Sequence, residues 1–168
     1  TIFVSEWIKN LYIKLGHSGS SSVIRSGSNM QIFNRDFIQP WDKKSPLKIV
    51  THHWGANWNK GFEVYQYIDS LLENNEWSEK IEFTYIGNVP KNFVFKNSKH
   101  IEPISGSKLS KELKKNNVYI TGSLNEPSGN HHIEASQCGL PILYIDSGGV
   151  TEYCRDFGVE YNINDLEE

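Results

Sequence analysis

The spacing of apolar positions changes along the chain, and each change marks an element. Residues 1–4 form a short β-prone run. Ser5 is placed to cap a helix over "EWIKNLYIKLG", residues 6–16, in which Trp7, Ile8, Leu11, Tyr12 and Leu15 share one face. "HSGSSS" reads as loop, and "SVIRSGSNMQIF" as a strand followed by a glycine turn. Residues 34–46, "NRDFIQPWDKKSP", carry two prolines and several charges and read as a linker. From Leu47 the pattern becomes regular. Strands are expected over 47–54, 80–88, 98–104, 118–123 and 141–149, with a last edge strand over 158–163. Helices are expected between them over 59–75, 107–117 and 129–139, with a single turn over 150–154.

Strands that alternate with helices, and that are nearly continuous apolar runs, predict a parallel sheet buried on both faces. The expected class is therefore α/β, a Rossmann-like parallel sheet with helices on both faces. Residues 45–168 form that unit, and 1–44 precede it as a separate piece and linker.

With 168 residues the chain has room for one domain, or one plus a fragment of another. A net charge of −3 leaves no basic footprint, which argues against nucleic acid as a partner. "KELKK", residues 111–115, reads as a solvated helix face. Cys138 and Cys154 are the only cysteines, and without a CxxC they signal neither a zinc site nor a thioredoxin-like motif. Two lone thiols fit a reducing cytoplasm, the expected location, and leave one disulfide open. No apolar run approaches the ~20 residues needed to span a bilayer. The first 16 residues, interrupted by Glu6 and Lys9, do not read as a signal peptide. A start at Thr rather than Met suggests a piece of something longer.

The candidate chemistry lies in "NEPSGNHHIEASQCGLP", residues 125–141. Glu126 follows a strand end, and Glu134 lies inside the next helix, with seven residues between them. Ligands of open α/β sheets bind beyond the carboxyl ends of the strands. There the first amides of a helix lack intrahelical partners and suit a phosphate or sugar hydroxyls. Gly129 allows close approach to the backbone. Glu134, about five residues into the helix, lies roughly 7 Å further along at 1.5 Å per residue. Two acceptors so placed can each hold one diol of an elongated ligand such as a nucleoside diphosphate sugar.

The longer stretch "EPSGNHHIEASQCGLPILYIDSGGVTEY" resembles the donor-binding signature of family 4 glycosyltransferases, retaining enzymes with the GT-B fold. Glu126, Gly129, Glu134, Ala135, Cys138, Gly139, Pro141, Gly148, Gly149 and Glu152 fall on its pattern. "NKGFEVYQYI" resembles the Lys-Gly segment on the first helix of the donor domain, and "VSEWIKNLYIKLG" the last helix of the acceptor domain. The resemblance implies one half of a GT-B fold. Residues 1–44 would be a tail of the N-terminal acceptor domain plus linker, and 45–168 the C-terminal nucleotide-sugar-binding domain. It implies transfer of a sugar from a nucleoside diphosphate sugar, which is substrate rather than cofactor, with no bound metal. Glu126 would be the catalytic residue, contacting the transferred sugar's hydroxyls. Lys60 would hold the diphosphate. Glu134 would hold the ribose diol. Gly129, Asn130 and His131 would offer amides, and Gly148 and Gly149 complete the donor site. Further candidates are His53, Asn57, Glu152 and, for backbone contact with the base, Ile104. The acceptor domain of a longer parent would be the partner, with the inner face of a membrane a further candidate partner of that parent. The isolated chain is expected to transfer little sugar.

One departure concerns the phosphate clamp. The family's Arg five or six residues before the Lys is replaced by Gly55 or Trp54, which leaves one cation for a diphosphate. Asn57, Asn59 or a histidine are neutral substitutes. Two alternatives stay open: a non-catalytic nucleotide- or carbohydrate-binding domain, and a GT-B sugar-phosphate epimerase. The pairs His52-His53 and His131-His132 also allow a two-histidine, one-carboxylate metal site. The more ordinary reading has one of each pair lining the pocket and the other packing or facing water. Trp54 or Trp58 is placed to flank a ligand, while Trp41 and Trp77 read as packing residues.

Overall fold

The computed structural model describes residues 1–165 of the chain. Its centre is a six-stranded sheet, every pair parallel. The strands are β3 (Leu47–His53), β4 (Ile81–Gly87), β5 (Lys99–Ile101), β6 (Val118–Thr121), β7 (Ile142–Tyr144) and β8 (Gly158–Glu160). Their order is β5-β4-β3-β6-β7-β8, so the chain builds outward from β3 to one side and then returns to build on the other. That reversal is the doubly-wound pattern, and it opens a crevice between the carboxyl ends of β3 and β6.

Alternate residues of each strand feed two cores. Val50, Tyr119, Ile142 and Tyr144 join Leu109, Leu113, Ala135 and Val150 on one face. That face is covered by α4 (Gly106–Leu113), α5 (Asn130–Gln137) and α6 (Val150–Cys154). Ile49, Phe83, Tyr85 and Ile120 join Phe62, Tyr65 and Ile68 on the other face, under α2 (Phe62–Leu71). The expected class therefore holds: a parallel sheet with helices on both faces.

Several boundaries differ from those read in the sequence. The helix expected over 59–75 is three pieces: a 3₁₀ turn (Trp58–Lys60), α2, and α3 (Asn75–Ser78). Gly61 makes the first break, with φ +95°. A Cβ there would meet the backbone of Gly122 at 2.7 Å, so only glycine lets the turn press on the end of β6. The second break is an Asn74 side chain that caps α3 through the Glu76 amide. The strands expected over 98–104, 141–149 and 158–163 shrink to three residues each, the length over which their neighbours pair. Residues 166–168, part of the expected 45–168 unit, lie outside the described residues.

The N-terminal piece is β1 (Ile2–Phe3), α1 (Glu6–Lys14) and β2 (Ser22–Val23), with β1 and β2 paired in parallel. Ser5 caps α1 as expected, accepting from the Ile8 amide. The segment read as a linker begins by lying on the sheet unit: Ile38 packs on the α4–α5 core, and Lys114 donates to Asn34 at 2.8 Å.

Candidate functional site

The last residues of β3 and β6 face each other across the crevice. Strand alternation sends adjacent histidines to opposite sides. His52 points to the α5 side, where its Nε2 lies 3.0 Å from Oε2 of Glu134. His53 points to the α2 side, where its Nε2 lies 2.8 Å from the Tyr65 hydroxyl. That hydroxyl also accepts from the Gly122 amide at 3.2 Å and bonds the Thr51 hydroxyl at 3.2 Å. Tyr65 thereby ties β3, β6 and α2 together beneath the crevice floor. Burial pushes its phenol up to about 12, so it stays protonated.

The rim is built by the loop from β6 to α5. Gly129 precedes α5 with φ +75°, a conformation that favours glycine. A Cβ there would stand 2.6 Å from Cε1 of His131 and 3.0 Å from Cγ of Glu126. This close packing brings the Glu126 side chain up against the start of α5. No side chain among the described residues caps that helix, and its first turn carries no acid. The positive end of the helix is thus open beside Glu126. Glu126 in turn forms an ion pair with Lys60, which arrives from the 3₁₀ turn after β3. Gly55 packs under the same lysine: a Cβ there would meet the Lys60 stem at 3.1 Å and Nδ2 of Asn57 at 3.5 Å. The rim therefore groups Lys60, Asn57, Glu126, Gly129 and His131, and Glu134 follows along α5 on His52.

The imidazoles beneath this rim form one cluster. Ring centroids of His53 and His131 are 4.5 Å apart, and those of His131 and His132 are 4.8 Å apart. His131 Nε2 lies 3.0 Å from the Thr121 hydroxyl. Desolvation, then the charges of neighbouring groups including Lys60, holds His53 and His131 well below the ordinary imidazole value. Burial takes His132 down to about 4. These three rings are neutral at pH 7, so they serve as hydrogen-bonding groups and not as cations. Of the expectation that one member of each pair lines the pocket while the other packs or faces water, the water-facing alternative needs correction. All four histidines are buried and joined by ring or hydrogen-bond contacts. Among the described residues no three His, Cys, Asp or Glu side chains are grouped to hold a metal ion.

The remaining candidates divide. Ile104 lies in a narrow crevice with His52, His53, Trp54, Gly87 and Pro103, at the carboxyl ends of β3 and β4. The Gly148–Gly149 turn braces the rim loop, since the Gly149 amide donates to the Glu126 carbonyl at 2.8 Å. Asn130 is exposed in the first turn of α5. Glu152 is engaged elsewhere: its two oxygens accept from the first amides of α1, Glu6 at 2.9 Å and Trp7 at 2.7 Å. It anchors the N-terminal piece, with Arg25 3.6 Å away. Trp54 and Trp58 are exposed near the crevice, and Trp58 also packs edge-on against Phe62 and Phe93. Trp41 and Trp77 are also exposed, not packed in the core; Lys80 lies over the Trp77 ring. Sequence reading missed His52 as the partner of Glu134 and took Tyr65 only as an apolar contact.

A groove of about 970 Å³ lies away from this cluster. It runs between residues 31–46 and α4, lined by Phe37, Trp41, Lys48, Lys111, Lys114 and Lys115 among others. It holds neither the glutamates nor the histidines, so its size alone does not make it the reacting centre.

The family model described as glycosyl transferases group 1 matches residues 91–165, the stretch that carries Glu126, Glu134 and the glycine turn. No curated protein matches the chain in sequence. Solved structures similar to it include the pneumococcal O-GlcNAc transferase GtfA in complex with UDP and GlcNAc, with TM-score 0.69, 15% identity, and 97% of this chain and 34% of that one covered. The sucrose-phosphate synthase of Thermosynechococcus elongatus has TM-score 0.70 and 17% identity, with 99% of this chain and 46% of that one covered. WaaG, a glycosyltransferase involved in lipopolysaccharide biosynthesis, has TM-score 0.68 and 13% identity, with 98% and 50% covered. The chain thus spans between 34% and 50% of the length of these three chains. It has the fold of one GT-B glycosyltransferase domain.

Proposed function

We propose that this chain is the donor-binding domain of a retaining, family 4-like glycosyltransferase, and that it grips a nucleoside diphosphate sugar at the rim around α5. The observation that carries this reading is the arrangement of Glu126 and Glu134 on either side of the open start of α5, at the switch point of the sheet, with Lys60 beside them. A nucleoside diphosphate sugar offers a diol, two phosphates and a second set of hydroxyls in that order. Glu134, steadied by His52, accepts from the ribose diol. The amides of Asn130 and His131 and the Lys60 ammonium receive the diphosphate, where negative charge grows as the glycosidic bond breaks. Glu126 accepts from hydroxyls of the transferred sugar. The family match over residues 91–165 and the UDP and GlcNAc in the GtfA structure support a nucleotide sugar as the ligand class. The acceptor would sit on a second domain of a longer parent, docked through the piece that Glu152 anchors.

A thermal-shift panel of uridine, guanosine and adenosine diphosphates with their sugar conjugates tests the reading. A bound ligand at ~100 times its dissociation constant adds about 2.7 kcal/mol to stability, a clear upward shift in Tm. No shift with any of them contradicts it.

A further inference from the structure

The ion pair of Lys60 with Glu126 has a consequence for which ligand the rim prefers. Both side chains are mostly shielded, 24% and 15% exposed, and each is the charged partner of the other. On the functional reading above, on which this inference rests, the same lysine must also serve a diphosphate. Trp54 and Gly55, not an arginine, occupy the positions six and five residues before it. The nearby rings of His53 and His131 are held neutral through burial, and Lys60 is the cation paired with Glu126 at this rim. One positive charge therefore faces two claimants, a carboxylate and a diphosphate.

We propose that Glu126 and the diphosphate compete for Lys60, and that this competition makes the rim favour a sugar-loaded nucleotide over the bare nucleoside diphosphate. In the ligand-free rim the ammonium sits on Glu126. When a nucleotide sugar binds, hydroxyls of the sugar donate to the Glu126 carboxylate in place of the ammonium, and Lys60 is released to the phosphates. When a bare nucleoside diphosphate binds, no hydroxyl reaches Glu126. A shielded carboxylate is then left without a donor beside a more highly charged diphosphate, which costs desolvation and repulsion. After transfer removes the sugar, Glu126 draws Lys60 back and loosens the spent nucleotide. Glu126 thus acts as a specificity-determining group that aids product release, besides touching the sugar.

This reverses the usual expectation for a binding-site substitution. Neutralising Glu126 leaves Lys60 to the phosphates, so Glu126→Gln should bind nucleoside diphosphate about tenfold more tightly than wild type, and the nucleotide sugar no more tightly. Calorimetric titration with uridine, guanosine and adenosine diphosphates and their glucose and N-acetylglucosamine conjugates reads both affinities. Glu126→Ala should tighten the bare nucleotide in the same direction, which guards against one variant misfolding. In the Lys60→Met background the Glu126→Gln change should leave the nucleoside diphosphate affinity within about twofold, because the contested cation is gone. If wild type binds one of these nucleotides but both Glu126 variants bind it equally or more weakly, the competition is refuted and the functional reading survives. If wild type binds none of them, both fall together.

Discussion

Lowering the pH should unfold this domain earlier than its carboxylates alone would allow. The perturbation is a shift from pH 7.5 to 5.5. His53, His131 and His132 sit beneath the rim with their pKa values pushed below the ordinary 6.5 by burial, His132 to about 4. In the unfolded chain each regains a value near 6.5 and takes up a proton below it. A group whose folded value is depressed gives its stability in full above the unfolded value and loses it as pH falls toward the folded one. The window is therefore from pH 6.5 down toward 4. At pH 5.5 withholding the proton from His132 costs about 1.4 kcal/mol, and His53 and His131 lose stability in the same direction. Against the 5–15 kcal/mol typical of a domain such a loss is readily measured. Urea unfolding followed by circular dichroism at half-unit pH steps measures it, the slope counting protons taken up on unfolding. His132→Phe is the control. It keeps a ring against Tyr153 and removes a buried Nε2 that has no hydrogen-bond partner among the described residues. Its slope near pH 5.5 should fall by about one proton. A stability flat from pH 7.5 to 5.5, or one falling only below pH 4.5 where carboxylates titrate, would refute the reasoning.

Three further outcomes follow from single contacts. Glu134→Ala removes the acceptor proposed for two ribose hydroxyls and should weaken every bound nucleotide by ~1–3 kcal/mol, read by calorimetry; unchanged affinity would place the ribose elsewhere. Gly129→Ala puts a Cβ at φ +75° and within 2.6 Å of the His131 ring, and should cost about 1–3 kcal/mol in urea unfolding, while a neutral result would mean the loop shifts freely. Glu152→Ala leaves the Glu6 and Trp7 amides without their acceptor; hydrogen exchange at the start of α1 should speed up by about tenfold or more while β3, β4 and β6 keep their protection.

The sheet was legible because its strands are apolar runs with turn residues between them, and because the alternation of strand and helix admits few connections. Both glutamates were legible for a related reason: Glu126 and Glu134 lie on one short loop and helix, so local spacing fixes their separation. Their partners were not. Lys60 comes to Glu126 from 66 residues away and His52 to Glu134 from 82, and such pairings follow from the strand order rather than from any local pattern. The break at Gly61 was hidden for the same reason, since it depends on contact with Gly122 on a distant strand. Glu152 matched a motif position, yet its carboxylate is held by α1, an element from the other end of the chain. Tyr65 looked apolar because its ring does pack in the core, while its hydroxyl joins three elements at the crevice floor.

The most direct test is a crystal structure of the chain soaked with the nucleotide sugar that gives the largest thermal shift. The account predicts density with the ribose on Glu134, the diphosphate over the start of α5 and at Lys60, and the sugar against Glu126. A ligand bound in the groove between residues 31–46 and α4, with the rim vacant and Lys60 still on Glu126, would contradict it.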